Sequence, residues 1–515
     1  MNPSAGEPVA DVALFLEGTY PYVLGGVSSW VDQIIRGLPE LTFALFYLGS
    51  KKRPDQEVQY TLPSNVLSLS EVYLHDRIPE QELKPGRLPE HLRAQGYACW
   101  SKFYLAESKE EQLAAFWKMI DGLEAMEGHI TFGNLTRDRE PWEILMTAYE
   151  QFAPDESFID FFWTLRFLHM PLWTLWKART LVPRARVYHS VSAGYAGFLG
   201  AISARRHGVP FLLTEHGIYT KERIAEISQA DWIYEQENYR VTFAEGLGPL
   251  KQLWIGLFAF LGRIAYEQAG SIITLYEGNA LTQVEFGADR ARIEIIPNGI
   301  EPSKFDEIRD RILSRWNPEP AVKCVGFVGR VVPIKDVKTL LRAARLLVER
   351  RDDVEFLIAG PYSEDLDYFE ECQKIVHLLQ LENKVTFLGK QKLTDVIPRI
   401  DVMVLTSISE GLPLVVLEAM AAGIPTVATD VGACRELIFG RTPEDKALGR
   451  AGRLTKILSP QETALALATT LENPDQWRSM GTSGRLRVEQ CYTMTLMIDS
   501  YRELYRVASA ATSPT

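Results

Sequence analysis

The chain has 515 residues, too many for one hydrophobic core, so two or three domains are expected. Its 46% hydrophobic and 24% charged composition is ordinary for a soluble globular protein. A net charge of −12 argues against general nucleic-acid binding and leaves open only a local basic cleft.

Residues 9–17 read as a buried first strand, followed by a glycine-bearing loop, 18–26, and a helix from about Val27. Trp30, Ile34 and Ile35 form the apolar side of that helix. The pair Gly25 and Gly26 at its start lets backbone approach a ligand closely; a plain tight turn is the alternative. Residues 42–48 make the next strand, and 51–180 then depart from the strand–helix rhythm as an inserted helical region. Within it, 158–176 are apolar on nearly every side, which predicts a buried helix or a docking face for a partner or a membrane surface.

Alternation resumes with strand Ala185–Ser190, a helix over 193–206 and a strand over 210–214. His216 follows that strand and precedes a glycine, which places it at the sheet's carboxyl edge. His189 is a second candidate, with packing at its own strand end as the alternative, and Glu215 is an acidic candidate without a role. Strands over 271–275 and 293–296 lead into the turn Pro297-Asn298-Gly299. A second α/β unit begins near Lys323–Val328 and runs to about 485. Two doubly wound domains with a crevice between them fit this order. The domains are placed at 1–310, with a carboxyl-terminal helix in 486–515 crossing back onto the first, and at 311–485.

Five scattered cysteines form no metal-spaced pair and no disulfide framework, which points to a reducing cytoplasm. The first basic residue is Arg36, so the amino terminus lacks the charged region of a signal peptide. No charge-free apolar run approaches the roughly 18 residues that span a bilayer. The longest, 253–262, is bounded by Lys251 and Arg263. A peripheral position at a membrane would require docking, for which 158–176 and 253–260 are the candidates.

The most informative stretch is VLTSISEGLPLVVLEAMAAGIPTVATDVGACRE, which sets Glu410 and Glu418 eight residues apart. Strand Val402–Leu405 precedes it and residues 425–429 form the next strand, so the loop sits at the carboxyl edge of a parallel sheet. Pro413 suits the first turn of a helix, and amides around Gly411, Leu412 and Leu414 would point at an anion such as a diphosphate. Glu418 lies on the helix, about 7 Å further along at about 1.5 Å rise per residue. Its setting in LVVLEAMAAG is too apolar for an exposed face, and a buried carboxylate is costly unless paired.

EGLPLVVLE resembles the E-x7-E signature of the family-4 retaining glycosyltransferases. GFVGRVVPIKD resembles that family's G-R-x4-K element, with Arg330 and Lys335 as its cations, and IPNGIEPSKF its interdomain segment, with Asn298. The resemblance implies the GT-B architecture: two Rossmann-like domains facing a cleft. It also implies transfer, with retention, of a sugar from a nucleotide diphosphate donor, here a UDP-sugar. Glu418 would hold the ribose, and Arg330, Lys335 and the amides of 411–414 the diphosphate. Glu410 would meet the donor sugar, while Gly25, Gly26 and His216 complete the site from the first domain. No D-x-D motif or carboxylate cage is present, so catalysis without a metal or cofactor is expected. Absence of G-x-G-x-x-G weakens a dehydrogenase reading.

Three further features, EGTYPYVLGGVSSWV, the aromatic insertion and LLTEHGIYTKER, resemble the PelF-type enzymes of bacterial Pel exopolysaccharide synthesis. That implies a growing polysaccharide as acceptor and membrane-embedded partners at the cytoplasmic face of the inner membrane. A UDP-sugar epimerase, a phosphorylase on the same fold and a catalytically silent sugar-nucleotide-binding subunit remain open. A phosphorylase would need a pyridoxal-phosphate lysine that no segment singles out.

Overall fold

The computed structural model describes residues 9–54, 56–233, 247–315 and 322–510. Among the described residues there are thirteen strands in two sheets. β1 to β7 are Ala10–Glu17, Phe43–Gly49, Val66–Tyr73, Ala185–Ser190, Phe211–Glu215, Ser271–Thr274 and Ile293–Ile295. β8 to β13 are Lys323–Val328, Val354–Ala359, Val385–Gly389, Val402–Leu405, Thr426–Thr429 and Gly452–Thr455. The first sheet runs β3-β2-β1-β4-β5-β6-β7 and the second β10-β9-β8-β11-β12-β13. Strands such as β2 and β11 are buried at every position, because helices cover both faces of a parallel sheet.

The contacts divide the chain into two units. One holds residues 1–272, 283–293 and 505–515, the other 273–282 and 294–504. The division thus falls earlier than residue 310. Phe305, Ile308 and Ile312 belong to the second unit's core, where Arg485 ties them down by donating to Pro302 O (2.8 Å) and pairing with Asp306 (2.6 Å). Of the carboxyl-terminal helix Met494–Ala510, only the end from Tyr505 joins the first unit, where the Tyr505 hydroxyl meets His189 Nδ1 at 2.7 Å.

Residues 51–180 are not helical throughout. β3 lies within them, pairing in parallel with β2 from Val66↔Phe43 to Tyr73↔Gly49. Its half-exposed edge position gives it a mixed pattern in place of an apolar run. The helical insertion proper follows it, with its main helices at Glu90–Tyr104, Lys109–Ala125, Arg139–Phe152 and Phe158–Ala178. The last of these buries Phe161, Leu165, Leu168, Trp173 and Trp176. It is not enclosed on all sides: Ile159, Trp163 and Phe167 stand 66%, 47% and 51% exposed on one stripe at a spacing of four. Among the described residues no helix is long and apolar enough to cross a membrane.

Candidate active site

In the second unit the chain steps from β8 outward to β10, then returns to the other side of β8 with β11. The β8–β11 pair, in register at Val325↔Val402 and Gly326↔Met403, is therefore the point where the strand order reverses. In open α/β sheets the crevice for a ligand lies beyond the carboxyl ends of these two strands. The loop after β8 carries Lys335 and the loop after β11 carries Glu410. Their side chains form an ion pair across the reversal point, with Lys335 20% and Glu410 11% exposed.

Backbone geometry holds the pair. The turn Pro333–Lys335 closes at Asp336, whose left-handed conformation (φ 46°) is tolerated by aspartate, and whose carboxylate accepts from Thr339 N at 3.2 Å to cap the next helix. The two loops are also stitched together. Thr406 Oγ1 donates to Lys335 O (3.1 Å) and Ile408 N to Ile334 O (2.8 Å). Ser407 Oγ donates to Glu410 Oε1 at 2.6 Å, so one carboxylate oxygen is shared by a cation and a hydroxyl. Gly432 (φ 53°) lets the next loop lie directly on this one, since a Cβ there would sit 2.3 Å from Gly411 O.

Beyond Glu410 the chain turns through Gly411 and the buried Leu412 into the helix Leu414–Ala421. Pro413 stands at the cap position, one place outside the helix. The first-turn amides of the helix have no intrahelical carbonyls to meet, apart from Val416 N, which returns to Pro413 O at 3.0 Å. Glu418 is half-buried on this helix, and no hydrogen bond or ion pair reaches its carboxylate among the described residues. Burial alone raises its pKa to about 7.

Arg330 lies beyond β8 and pairs with Glu364 at 2.5 Å, both about half exposed. Asn298 follows β7, and its Oδ1 is buried without a hydrogen-bond partner among the described residues. The adjoining Gly299-Ile300 strip pairs with Thr493, Ile300 N donating to Tyr492 O at 2.9 Å. The structure thus joins Lys335 to Glu410 directly, and gives Arg330 and Asn298 separate surroundings.

The first unit has its own reversal point, between β1 and β4. Glu17 closes β1 there, accepting from Ala196 N (3.1 Å) at the start of the helix after β4 and from Tyr219 Oη (2.8 Å). Burial raises its pKa against these bonds. Sequence reasoning passed over Glu17; its signal is a lone carboxylate ending an apolar strand. Ser407 was likewise missed.

His216 follows β5, and its ring packs edge-on against Trp30 at 4.8 Å. Trp30 belongs to the helix Gly26–Gly37, so His216 and the Gly25-Gly26 loop share one neighbourhood. His189 is a core histidine bonded to Tyr505 and, at 2.9 Å, Thr214. Glu215 is buried and accepts from Tyr266 (2.6 Å) and Gln283 (2.9 Å). Gly25 and Gly26 are exposed, and a Cβ on either would meet nothing within 4 Å. The fold itself has no need of glycine at these two positions.

Burial lowers the pKa of His189 to about 3 and of His216 to about 4, from the ordinary imidazole value of about 6.5. Both imidazoles are neutral at pH 7. The unfolded chain therefore binds more protons between pH 4 and 6.5, and stability present above that window is lost as pH falls through it. In thermal melts across that range, His216→Gln is expected to show a shallower fall in Tm than the wild-type chain; an unchanged slope would contradict the assignment.

Among the described residues, no group of three or more His, Cys, Asp or Glu side chains is placed to hold a metal ion. The two parallel-sheet units have the architecture of the GT-B glycosyltransferase fold. Sucrose-phosphate synthase from Thermosynechococcus elongatus superposes with a TM-score of 0.57 at 15% identity, covering 98% of this chain and all of that one. HepE from Anabaena, in complex with UDP and glucose, superposes at 0.55 and 15% identity, over 96% of this chain and 99% of that one. These likenesses establish the fold.

Residues 10–291 match the family model described as Domain of unknown function (DUF3492), and 309–487 that of Glycosyl transferases group 1. The chain belongs to the DUF3492 family and, through its second unit, to the glycosyl transferases group 1 superfamily. It is 25% identical to the MMP alpha-(1->4)-mannosyltransferase of Mycolicibacterium hassiacum over 365 residues, 70% of this chain and 80% of that protein. It is 31% identical to the D-inositol 3-phosphate glycosyltransferase of Gordonia bronchialis over 228 residues, 42% of this chain and 48% of that one. The protein is a glycosyltransferase.

Proposed function

We propose that the protein transfers a sugar, with retention, from a UDP-sugar to a growing polysaccharide, without metal or cofactor. The observation that carries this reading is the Lys335–Glu410–Ser407 cluster at the sheet's reversal point, beside an open helix start and an unpartnered carboxylate, Glu418. In this reading the diphosphate meets the amides of Gly411, Leu412 and Leu414 at the helix start and draws Lys335 and Arg330 from their carboxylate partners. Lys335 then stabilises the charge developing on the leaving phosphate. Glu410, freed of that cation, accepts from the sugar hydroxyls, and Glu418 accepts from the ribose hydroxyls. Asn298 is assigned to the donor side. The neutral His216 and the Gly25-Gly26 loop serve from the first unit.

The acceptor and the setting are proposed on sequence grounds. The segments EGTYPYVLGGVSSWV and LLTEHGIYTKER favour the polymerising enzyme of Pel exopolysaccharide synthesis, cytoplasmic and held at the inner membrane by membrane-embedded partners. The exposed stripe Ile159, Trp163 and Phe167 is the candidate contact with those partners.

A thermal-shift panel of UDP-, GDP- and ADP-sugars tests the donor, because a ligand that binds only the native state raises Tm with its occupancy. Stabilisation by UDP-sugars alone is expected; selective stabilisation by a guanine or adenine nucleotide would overturn the donor assignment. Turnover of the donor without any acceptor would favour an epimerase instead. Gly26→Ala separates ligand approach from folding. Tm should stay within about 1 °C, since no atom is displaced, while kcat/KM falls by about tenfold or more. Unchanged activity would remove the glycine pair from the site.

A further inference from the structure

The helical insertion of the first unit forms, against the helix Pro249–Gln268, a cavity of about 410 Å³ that is partly open to solvent. Protein interiors pack with few voids larger than a water molecule, and this volume falls within the range of small-molecule pockets, about 300–1,000 Å³. Its wall is aromatic and aliphatic, with Trp100, Phe116, Leu168, Trp173 and Phe260 among its lining. A smaller cavity of about 70 Å³ shares Trp100, Leu165 and His169 with it. Neither wall includes a carboxylate among the described residues.

Arg263 is the cation in the wall of the larger cavity. Its Nη2 donates to Gln112 at 3.0 Å, and its guanidinium lies 5.4 Å from the Phe260 ring centre. Among the described residues its Nη1 is buried with no hydrogen-bond partner and no ion pair neutralises the charge; Glu110 acts on it only from a distance. The side chain is partly exposed, but a buried N–H without an acceptor is costly unless one is supplied. Burial lowers its pKa accordingly.

Gly256 lies on the exposed side of that helix at the rim of the cavity, with nothing within 4 Å of where its Cβ would be, so a larger side chain there can obstruct the cavity without displacing an atom of the fold.

We propose that this cavity binds a single-chain anionic amphiphile, its alkyl chain along the aromatic wall and its carboxylate or phosphate head on Arg263. The apolar lining recognises the chain by area removed from water. Arg263 recognises the head through Nη1, with charge-assisted geometry suited equally to carboxylate and phosphate.

The test uses the full chain and the fluorescent polyene fatty acid cis-parinaric acid, with dodecyl phosphate and dodecanol as competitors. Parinarate is expected to bind the wild-type chain, and dodecyl phosphate to displace it at about tenfold lower concentration than dodecanol. Arg263→Gln should erase that preference while keeping dodecanol binding. Gly256→Leu should abolish binding of all three while leaving Tm equal or higher and the nucleotide-sugar thermal shift intact. Absence of parinarate binding, equal competition by both dodecyl compounds, or unimpaired binding in Gly256→Leu would each overturn the proposal. Displacement by an apolar helical peptide but by neither amphiphile would overturn it in favour of a protein partner.

Discussion

Lys335→Ala is expected to lower kcat by about 10²–10³-fold, the loss usual when one preorganised charge-stabilising group is removed. The pair it breaks sits across the sheet's reversal point and is largely screened from water, at 20% and 11% exposure. Removing the ammonium leaves Glu410 with Ser407 as its bonded neighbour in the cluster. Part of the loss will therefore appear in stability, on the order of 1–2 kcal/mol, below the 3–5 kcal/mol of a fully buried pair. Arg330→Ala should behave differently. Its pair with Glu364 is about half exposed on both sides and contributes little to folding. Its loss is expected to raise KM for the donor with no change in Tm. Steady-state kinetics beside thermal melts separate the two variants. A Lys335→Ala chain with wild-type kcat and normal Tm would end the catalytic assignment.

Glu418→Gln should make the protein more stable and less able to bind donor. Burial holds the Glu418 carboxyl at a pKa of about 7 in the folded chain, against an ordinary value of about 4.5. The native state thus binds more protons than the unfolded one between these values, and stability falls as pH rises through the window. Above pH 7 the ionised, unpartnered carboxylate carries its full cost, about 2 kcal/mol after allowing for its partial exposure. The amide removes that cost. Tm should rise by about 4–8 °C at pH 8, with the gain disappearing near pH 4.5. Donor affinity should fall by about 10–100-fold, because a ribose diol loses charge-assisted hydrogen bonds. This is the trade expected when a strained group is kept for binding. A Tm gain without loss of affinity would leave Glu418 buried for no donor-related reason.

The parallel-sheet architecture was legible because strands covered on both faces read as unbroken apolar runs, as in Phe43–Gly49 and Val402–Leu405. β3 escaped notice because an edge strand needs no such run. Glu410 and Lys335 could be named from their motifs, but their ion pair, 75 residues apart in sequence, is a product of strand order. The same holds for Glu17 and Tyr219, 202 residues apart, which meet only because β1 and β5 end on one sheet edge. Ser407 and Thr406 are common residue types in a loop, and only the fold makes them fasteners. The helix Phe158–Ala178 shows the opposite limit. Its aromatic content predicts burial, but which side faces solvent depends on the helices packed against it.

The central claim is retaining transfer from a UDP-sugar, and the anomeric configuration of the product tests it most directly. The full chain is incubated with the UDP-α-sugar that stabilises it and an oligosaccharide acceptor, and the new linkage is read by proton NMR. The account predicts an α linkage formed in step with UDP release, and lost in Lys335→Ala. A β linkage, or donor consumed without a new glycosidic bond, would contradict it.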